Sequence, residues 1–173
     1  MKKIAICVLL LFLTVTAGIF AEHPDGIGIG PDFRYGVTGG WGPVLSLKLP
    51  VVPVYWGIGL GIDRNWFGIS VSGDYYFIDK TLVPQINLGW YLGVGGYVGM
   101  WIWQDHYYPV WANNNGSDMS LTLGARLPIG LSWQPLDFLE VFVEVAPSLG
   151  LWLIPVRFPA WDVNFDLGLR FWI

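Results

Sequence analysis

Chemistry needs a nucleophile, a base or a metal ligand, and this chain offers few of each. Its two histidines are His23 and His106, and its one cysteine is Cys7. His106 lies in the polar stretch QDHYYPVWANNNGSD (104–118), near Asp105, Ser117 and Asp118. Those are the residue types a lipid-modifying enzyme would use, a base, a hydroxyl and acids to orient them. A solvated polar loop accounts for the same residues more simply. Asp105, Asn113, Asn114, Asn115 and Asp118 lack the spacing of a calcium loop. The run GIGIG at 26–30 is followed by no helix signal, so it is not a phosphate cradle. No catalytic residue, cofactor or metal is expected. Tyr107, Tyr108 and Trp111, beside His106, are more suggestive. Exposed aromatics on an outer loop suit either a partner protein or lipid headgroups.

The other charged residues follow a different rule. In SLTLGARLPIGLSW (120–133), every odd position is apolar, from Leu121 to Trp133. The even positions carry Ser120, Thr122, Gly124, Arg126, Pro128, Gly130 and Ser132. Strict period-two alternation marks a strand, because successive side chains point to opposite faces. The same parity puts Arg34, Lys48, Arg126 and Arg170 on the polar face of their strands, with Asp32, Asp74, Glu140, Glu144 and Asp166. A tight turn near residue 135 pairs Arg126 with Glu144 or its neighbour. A connection centred near residue 157 brings Arg170 to the same Glu144. Glu144 is therefore expected between two arginines, in an ion-paired plug rather than a proton relay or catalytic carboxylate.

Eight strands must carry this face. They are read at 26–37, 44–49, 54–62, 66–78, 85–103, 120–133, 138–153 and 165–173. The even number is what closed bacterial barrels require. Compact turns are expected at 50–53, 79–84 and 134–137, at one end of the barrel. The long 104–118 connection falls at the other end, where an outer loop belongs, although the connection at 63–65 is short for one. Pro128 and Pro147 sit inside patterned strands, where proline removes a ladder donor, and local bulges are expected there.

The N-terminus fixes the compartment. Lys2 and Lys3 precede an uncharged run from Ile4 to Gly18, with Ala21 soon after. That is the layout of a secretory leader, residues 1–21, leaving 22–173 as one domain. Cys7 lies too early to form a lipobox, and the mature chain has no cysteine for a disulfide. His23 falls in a mature N-terminal segment expected to be disordered. Removing Lys2 and Lys3 from 9 basic residues leaves 7 against 13 acidic ones, a net charge of −6. An acidic chain has no basic footprint for nucleic acid. Charges are scarce, while 11 Trp, 8 Tyr, 10 Phe and 23 Gly are present. No segment after residue 21 has the ~18 apolar residues of a spanning helix. Turned inward, the apolar faces would leave a Gly-, Ser- and Tyr-covered exterior poorly protected against strand pairing. Turned outward, they would meet lipid, with aromatic girdles at both interfaces.

The block LGARLPIGLSWQPLDFLEVFVEVAPSLGLWLIP (123–155), followed by FDLGLRFWI, resembles an uncharacterised outer-membrane family known chiefly from spirochaetes. Its members are small eight-stranded barrels related in shape to the OmpA transmembrane domain and OmpX. The match covers the last three strands well and the first half only through its glycine-rich alternation. The ending also resembles a barrel-assembly signal, with Ile173 where Phe is usual. The resemblance implies an all-β, eight-stranded transmembrane barrel in the bacterial outer membrane, and no established activity. The expectation is a monomeric, non-enzymatic protein in outer-membrane lipid, with the 104–118 loop meeting host or environmental proteins. The alternatives are an OmpW-like conduit or cavity for small hydrophobic molecules, a lipid-modifying enzyme and a soluble lipocalin-like barrel.

Overall fold

The computed structural model describes residues 23–38, 40–63, 66–103, 119–154 and 156–173. Among the described residues, alternating sequence becomes nine strands: β1 (Gly28–Gly36), β2 (Gly40–Leu49), β3 (Val52–Asp63), β4 (Trp66–Val83), β5 (Leu88–Trp103), β6 (Met119–Arg126), β7 (Ile129–Leu136), β8 (Leu139–Ile154) and β9 (Val156–Trp172). All pairings are antiparallel, and β1 pairs with both β2 and β9, so the sheet closes on itself. β6 and β7 both lie between β5 and β8 and form two halves of one stave. The ring thus has eight staves, and closure leaves no edge strand.

The alternation resolves with its apolar side out. Leu123, Leu131 and Trp133 are 42–45% exposed, whereas Thr122 and Arg126 are 3% and 1% exposed. The same inversion runs round the ring, with Ile58, Leu60, Val143, Leu167 and Phe171 outside and Ser46, Ser72, Glu140 and Asp166 inside. Small residues opposite large ones fill the lumen. A side chain at Gly168 would collide with the Phe142 ring, and one at Gly130 with Tyr91. Interiors of eight-stranded barrels are just wide enough for this kind of filling.

Three local expectations are corrected. The sixth stave carries no bulge at Pro128. Arg126 opposes Ser148 and Ile129 opposes Val145, so the register is the same on both sides of Leu127 and Pro128. Pro128 still accepts from the Gly93 N–H at 2.8 Å, and Pro147 from the Leu127 N–H at 3.0 Å. Each proline forgoes only its own donor. The register through Pro147 is equally unbroken, with Ala146 opposite Asn164 and Ser148 opposite Asp162.

The expected turn at 79–84 is strand for most of its length. β4 continues to Val83, and the reversal is a short 3-10 turn, Pro84–Ile86, ended by Asn87 in the left-handed region. A real bulge lies instead between Tyr76 and Ile78. It shifts the parity of β4, so that Asp74, Tyr76 and Asp79 all face the lumen.

The connection between β8 and β9 is centred at residue 155, not 157. Glu140 therefore opposes Arg170, and Glu144 opposes Asp166.

Candidate functional site

One end of the barrel holds the reversals after β2, β4 and β7 together with the segment before β1; it is called here the turn end. The opposite end, where β5 stops at Trp103 and β6 starts at Met119, is the loop end. The polar lumen between them divides into a packed lower part, a charged middle and an open mouth.

At the turn end, His23 is buried, contrary to the expectation of a disordered terminus. Ile27 and Ile173 exchange backbone hydrogen bonds at 3.0 and 2.9 Å, which anchors the segment leading from His23 beside the last residue of the chain. The imidazole Nδ1 lies 2.5 Å from Asp79 Oδ2, and Nε2 lies 3.0 Å from Glu140 Oε1. Burial by itself opposes a charge on this ring. Glu140 and Asp79 outweigh it and push the His23 pKa up to about 9. The ring is therefore a cation at neutral pH, held between two carboxylates. Glu140 also accepts from Arg170 Nη1 at 2.7 Å and from Trp172 Nε1 at 2.9 Å. Arg170 donates to Ser46 Oγ through Nε and Nη2. Its guanidinium lies 4.8 Å from the Tyr55 ring centroid and 4.6 Å from that of Phe142. Tyr55, Tyr76 and Tyr91 stack in sequence, with centroids 4.2 and 4.3 Å apart.

Tyr76 links this part to the middle by donating its hydroxyl to Glu144 Oε2 at 3.1 Å. Arg126 places Nη2 2.5 Å from Glu144 Oε1 and 3.2 Å from Asp166 Oδ2, with Nε 3.4 Å from Asp74 Oδ1. Its Cα stands opposite Ser148, so the guanidinium reaches Glu144 diagonally along the lumen face. Arg34 meets Asp166 side by side across β1 and β9, through Nε at 2.9 Å and Nη2 at 2.9 Å. A planar fork on a carboxylate is the stronger kind of ion pair. Asp32 is buried beside them, with Oδ1 lacking a hydrogen-bond partner among the described residues.

The sequence reading and the geometry differ on three groups. Arg170 pairs with Glu140 rather than Glu144, because the β8–β9 turn centre lies two residues earlier than expected. Glu144 consequently has Arg126 as its arginine, not two. Among the described residues Lys48 joins no carboxylate within hydrogen-bond distance; its Nζ donates to the Leu49 and Val52 carbonyls at 2.8 and 3.0 Å and fastens the turn between β2 and β3. His23, Asp79 and the tyrosine stack were not anticipated. The polar parity of Tyr55 and Tyr76 was the available signal for two of the tyrosines. The candidate outer-loop residues Asp105, His106, Tyr107, Tyr108, Trp111, Ser117 and Asp118 lie outside the described residues, as do residues 1–21, the expected leader.

At the loop end the lumen opens into a cup of about 140 Å³. Arg34 and Arg126 reach its floor, and Trp66, Tyr97, Trp101 and Trp152 stand in its wall. Asp162 is fixed at the rim, where its Oδ1 accepts the Thr38 and Val163 N–H groups at 2.9 and 2.8 Å.

No protein-family model and no curated protein matches the chain. Solved structures do. The N-terminal β-barrel domain of Pseudomonas aeruginosa OprF is 13% identical, with a TM-score of 0.56 over 87% of this chain and all of that one. Neisserial surface protein A is also 13% identical, with a TM-score of 0.48 over 85% of this chain and 96% of that one. Ail, the attachment invasion locus protein of Yersinia pestis, solved with the heparin analogue sucrose octasulfate, is 11% identical, with a TM-score of 0.41 over 84% and 95%. The likeness to the OprF domain is one of fold: the described residues form a small, closed, antiparallel β-barrel.

Proposed function

We propose that this chain is a small, non-enzymatic outer-membrane protein of the spirochaete-type barrel group, working as a monomer with its loop end facing outward. One observation carries the reading. The ring turns most of its leucines, valines and phenylalanines outward and keeps Arg126, Arg170, Asp74, Glu140, Glu144 and Asp166 buried inside, the reverse of a protein surrounded by water and the arrangement of a barrel surrounded by lipid. In this reading residues 1–21 are the export leader. The 104–118 loop, with His106, Tyr107, Tyr108 and Trp111, meets host or environmental factors. The ion pairs and stacked tyrosines favour a plugged lumen over a conduit for hydrophobic molecules. Both nitrogens of His23 are taken by carboxylates, which leaves neither to serve as a base.

The test is fractionation with outer membranes together with a gel-mobility shift on boiling. A protein that stays in the soluble fraction and migrates identically before and after boiling overturns the reading. Conductance steps in a planar bilayer would replace the plug by a conduit.

A further inference from the structure

The mouth of the lumen is built unlike the rest of it. Below, large side chains interlock until little space is left. At the loop end, large flat side chains are laid against the wall and space is kept. The Trp101 ring covers two glycines. A Cβ at Gly68 would lie 2.7 Å from its Cδ1 and 2.9 Å from its Nε1, and a Cβ at Gly99 would strike its six-membered ring. Trp66 covers Gly61 in the same way. An indole lying along the wall over missing side chains presents its other face to the cavity. Trp152 meets Trp101 at a centroid distance of 6.1 Å and an angle of 53°, which makes an aromatic corner.

Polar groups line the same cup. Asp162 Oδ2 and Asn164 Oδ1 both lie over the Cα of Gly36, converging on one point where a side chain is absent. Arg34 and Arg126 lie at the floor, and both guanidinium groups are already engaged by carboxylates further down the lumen. A flat aromatic wall and convergent oxygen acceptors, over a floor whose cations are already paired, fit one ligand class. A pyranose ring has a face of weakly positive C–H groups, which suits the negative face of an indole. Its edge carries hydroxyl donors, which suit carboxylate and amide oxygens. A concave site with an apolar body and a few placed polar groups is the general form of a small-molecule pocket.

The geometry points to a saccharide-binding site in this cup, taking one neutral sugar ring against Trp101 and Trp152 with its hydroxyls on Asp162 and Asn164. The inference deepens the outward-facing reading of the loop end and rests on it for its biological access. Binding by purified protein does not depend on that orientation, so the two can fail separately.

The experiment uses the folded full-length mature protein in amine-oxide micelles, since glycoside detergents would compete. Methyl glucopyranoside, methyl galactopyranoside, diacetylchitobiose and a sulfated disaccharide with its unsulfated counterpart are titrated by calorimetry and saturation-transfer NMR. Saturable binding of at least one neutral sugar is expected, with transfer strongest at ring C–H protons. Trp101→Ala should weaken it about tenfold or more, as loss of a central aromatic contact does. Ser70→Phe, which fills the cup without removing a ligand contact, should abolish it, and Trp133→Ala on the outer wall should leave it unchanged. Each variant's fold is checked by its boiling-dependent gel shift. The inference is overturned if no neutral sugar saturates up to its solubility limit. It also fails if binding survives Ser70→Phe, or if the sulfated disaccharide binds more tightly than its unsulfated counterpart.

Discussion

The two halves of the lumen solve opposite problems with similar residues. At the turn end, aromatic rings stack on one another and on Arg170, and each buried charge finds a partner within the chain. At the loop end, the rings lie on glycines instead and leave about 140 Å³ open. Both arrangements use glycine to make room. In the first the room is taken by a neighbouring side chain, and in the second it is kept. The lower half behaves as structure that holds the barrel shut, and the upper half as surface that can receive something. Stability and recognition are thereby separated along the barrel axis.

That separation can be broken first in the middle of the plug. Arg126→Ala strands Glu144 and Asp74 without their shared guanidinium and leaves Asp166 to Arg34 alone, and a loss of ~3–5 kcal/mol of unfolding free energy is expected in denaturant titrations. Removing both members of the closest pair, as in Arg126→Met with Glu144→Leu, should cost clearly less than Arg126→Ala alone. Next comes the contrast between the two faces of one strand. Leu123→Arg puts a charge on the outer face and should cost ~2–4 kcal/mol in a lipid bilayer near its midplane. Thr122→Arg, one residue away, points into the cup. Its cost should be set by room and by the charges that line the cup, Arg34, Arg126 and Asp162, and a Thr122→Arg penalty as large as that of Leu123→Arg would mean that the faces have been misassigned.

The smallest effect concerns pH. The His23 pKa is raised from 6.5 to about 9, so its charge stabilises the fold fully below the unfolded value and ceases to do so as pH climbs through 9. His23→Gln should therefore lose at most ~3 kcal/mol near pH 6, and should match the unsubstituted protein above pH 10. Unfolding curves at the two pH values check the sign. A variant penalty that grew with pH would contradict the double carboxylate clasp.

Much of the barrel was legible because period-two alternation is a local property. The parity of 120–133 alone says which side chains share a face, and the scarcity of charge says which face turns outward. The interior contacts were legible only where registers were simple. Arg34 and Asp166 needed nothing but parity to face the same lumen. Arg170 was misdirected because a two-residue error in a hairpin centre moves the partner by four positions, from Glu140 to Glu144. Asp79 was hidden by the bulge after Tyr76, which has no marker comparable to glycine or proline at that point. His23 was hidden for a different reason. It lies outside any strand, so no periodicity could assign it, and its burial follows from partners far away in sequence, two carboxylates and the rings of Tyr55, Tyr76, Tyr91 and Trp172. The prolines taught the converse lesson. A donor can be missing from a rung without the register moving, provided that the carbonyl still accepts.

The His23 clasp also bears on the order of assembly. Its carboxylate partners lie 56 and 117 residues further along the chain, on β4 and β8. Neither contact helps to nucleate a hairpin, and both are available together only when the ring is complete. Long-range contacts of this kind reward a folding chain late, after the loop-closure entropy has been spent. The clasp therefore contributes little to the rate of barrel formation and chiefly slows its reopening, acting as a latch set after the seam between β1 and β9 has closed.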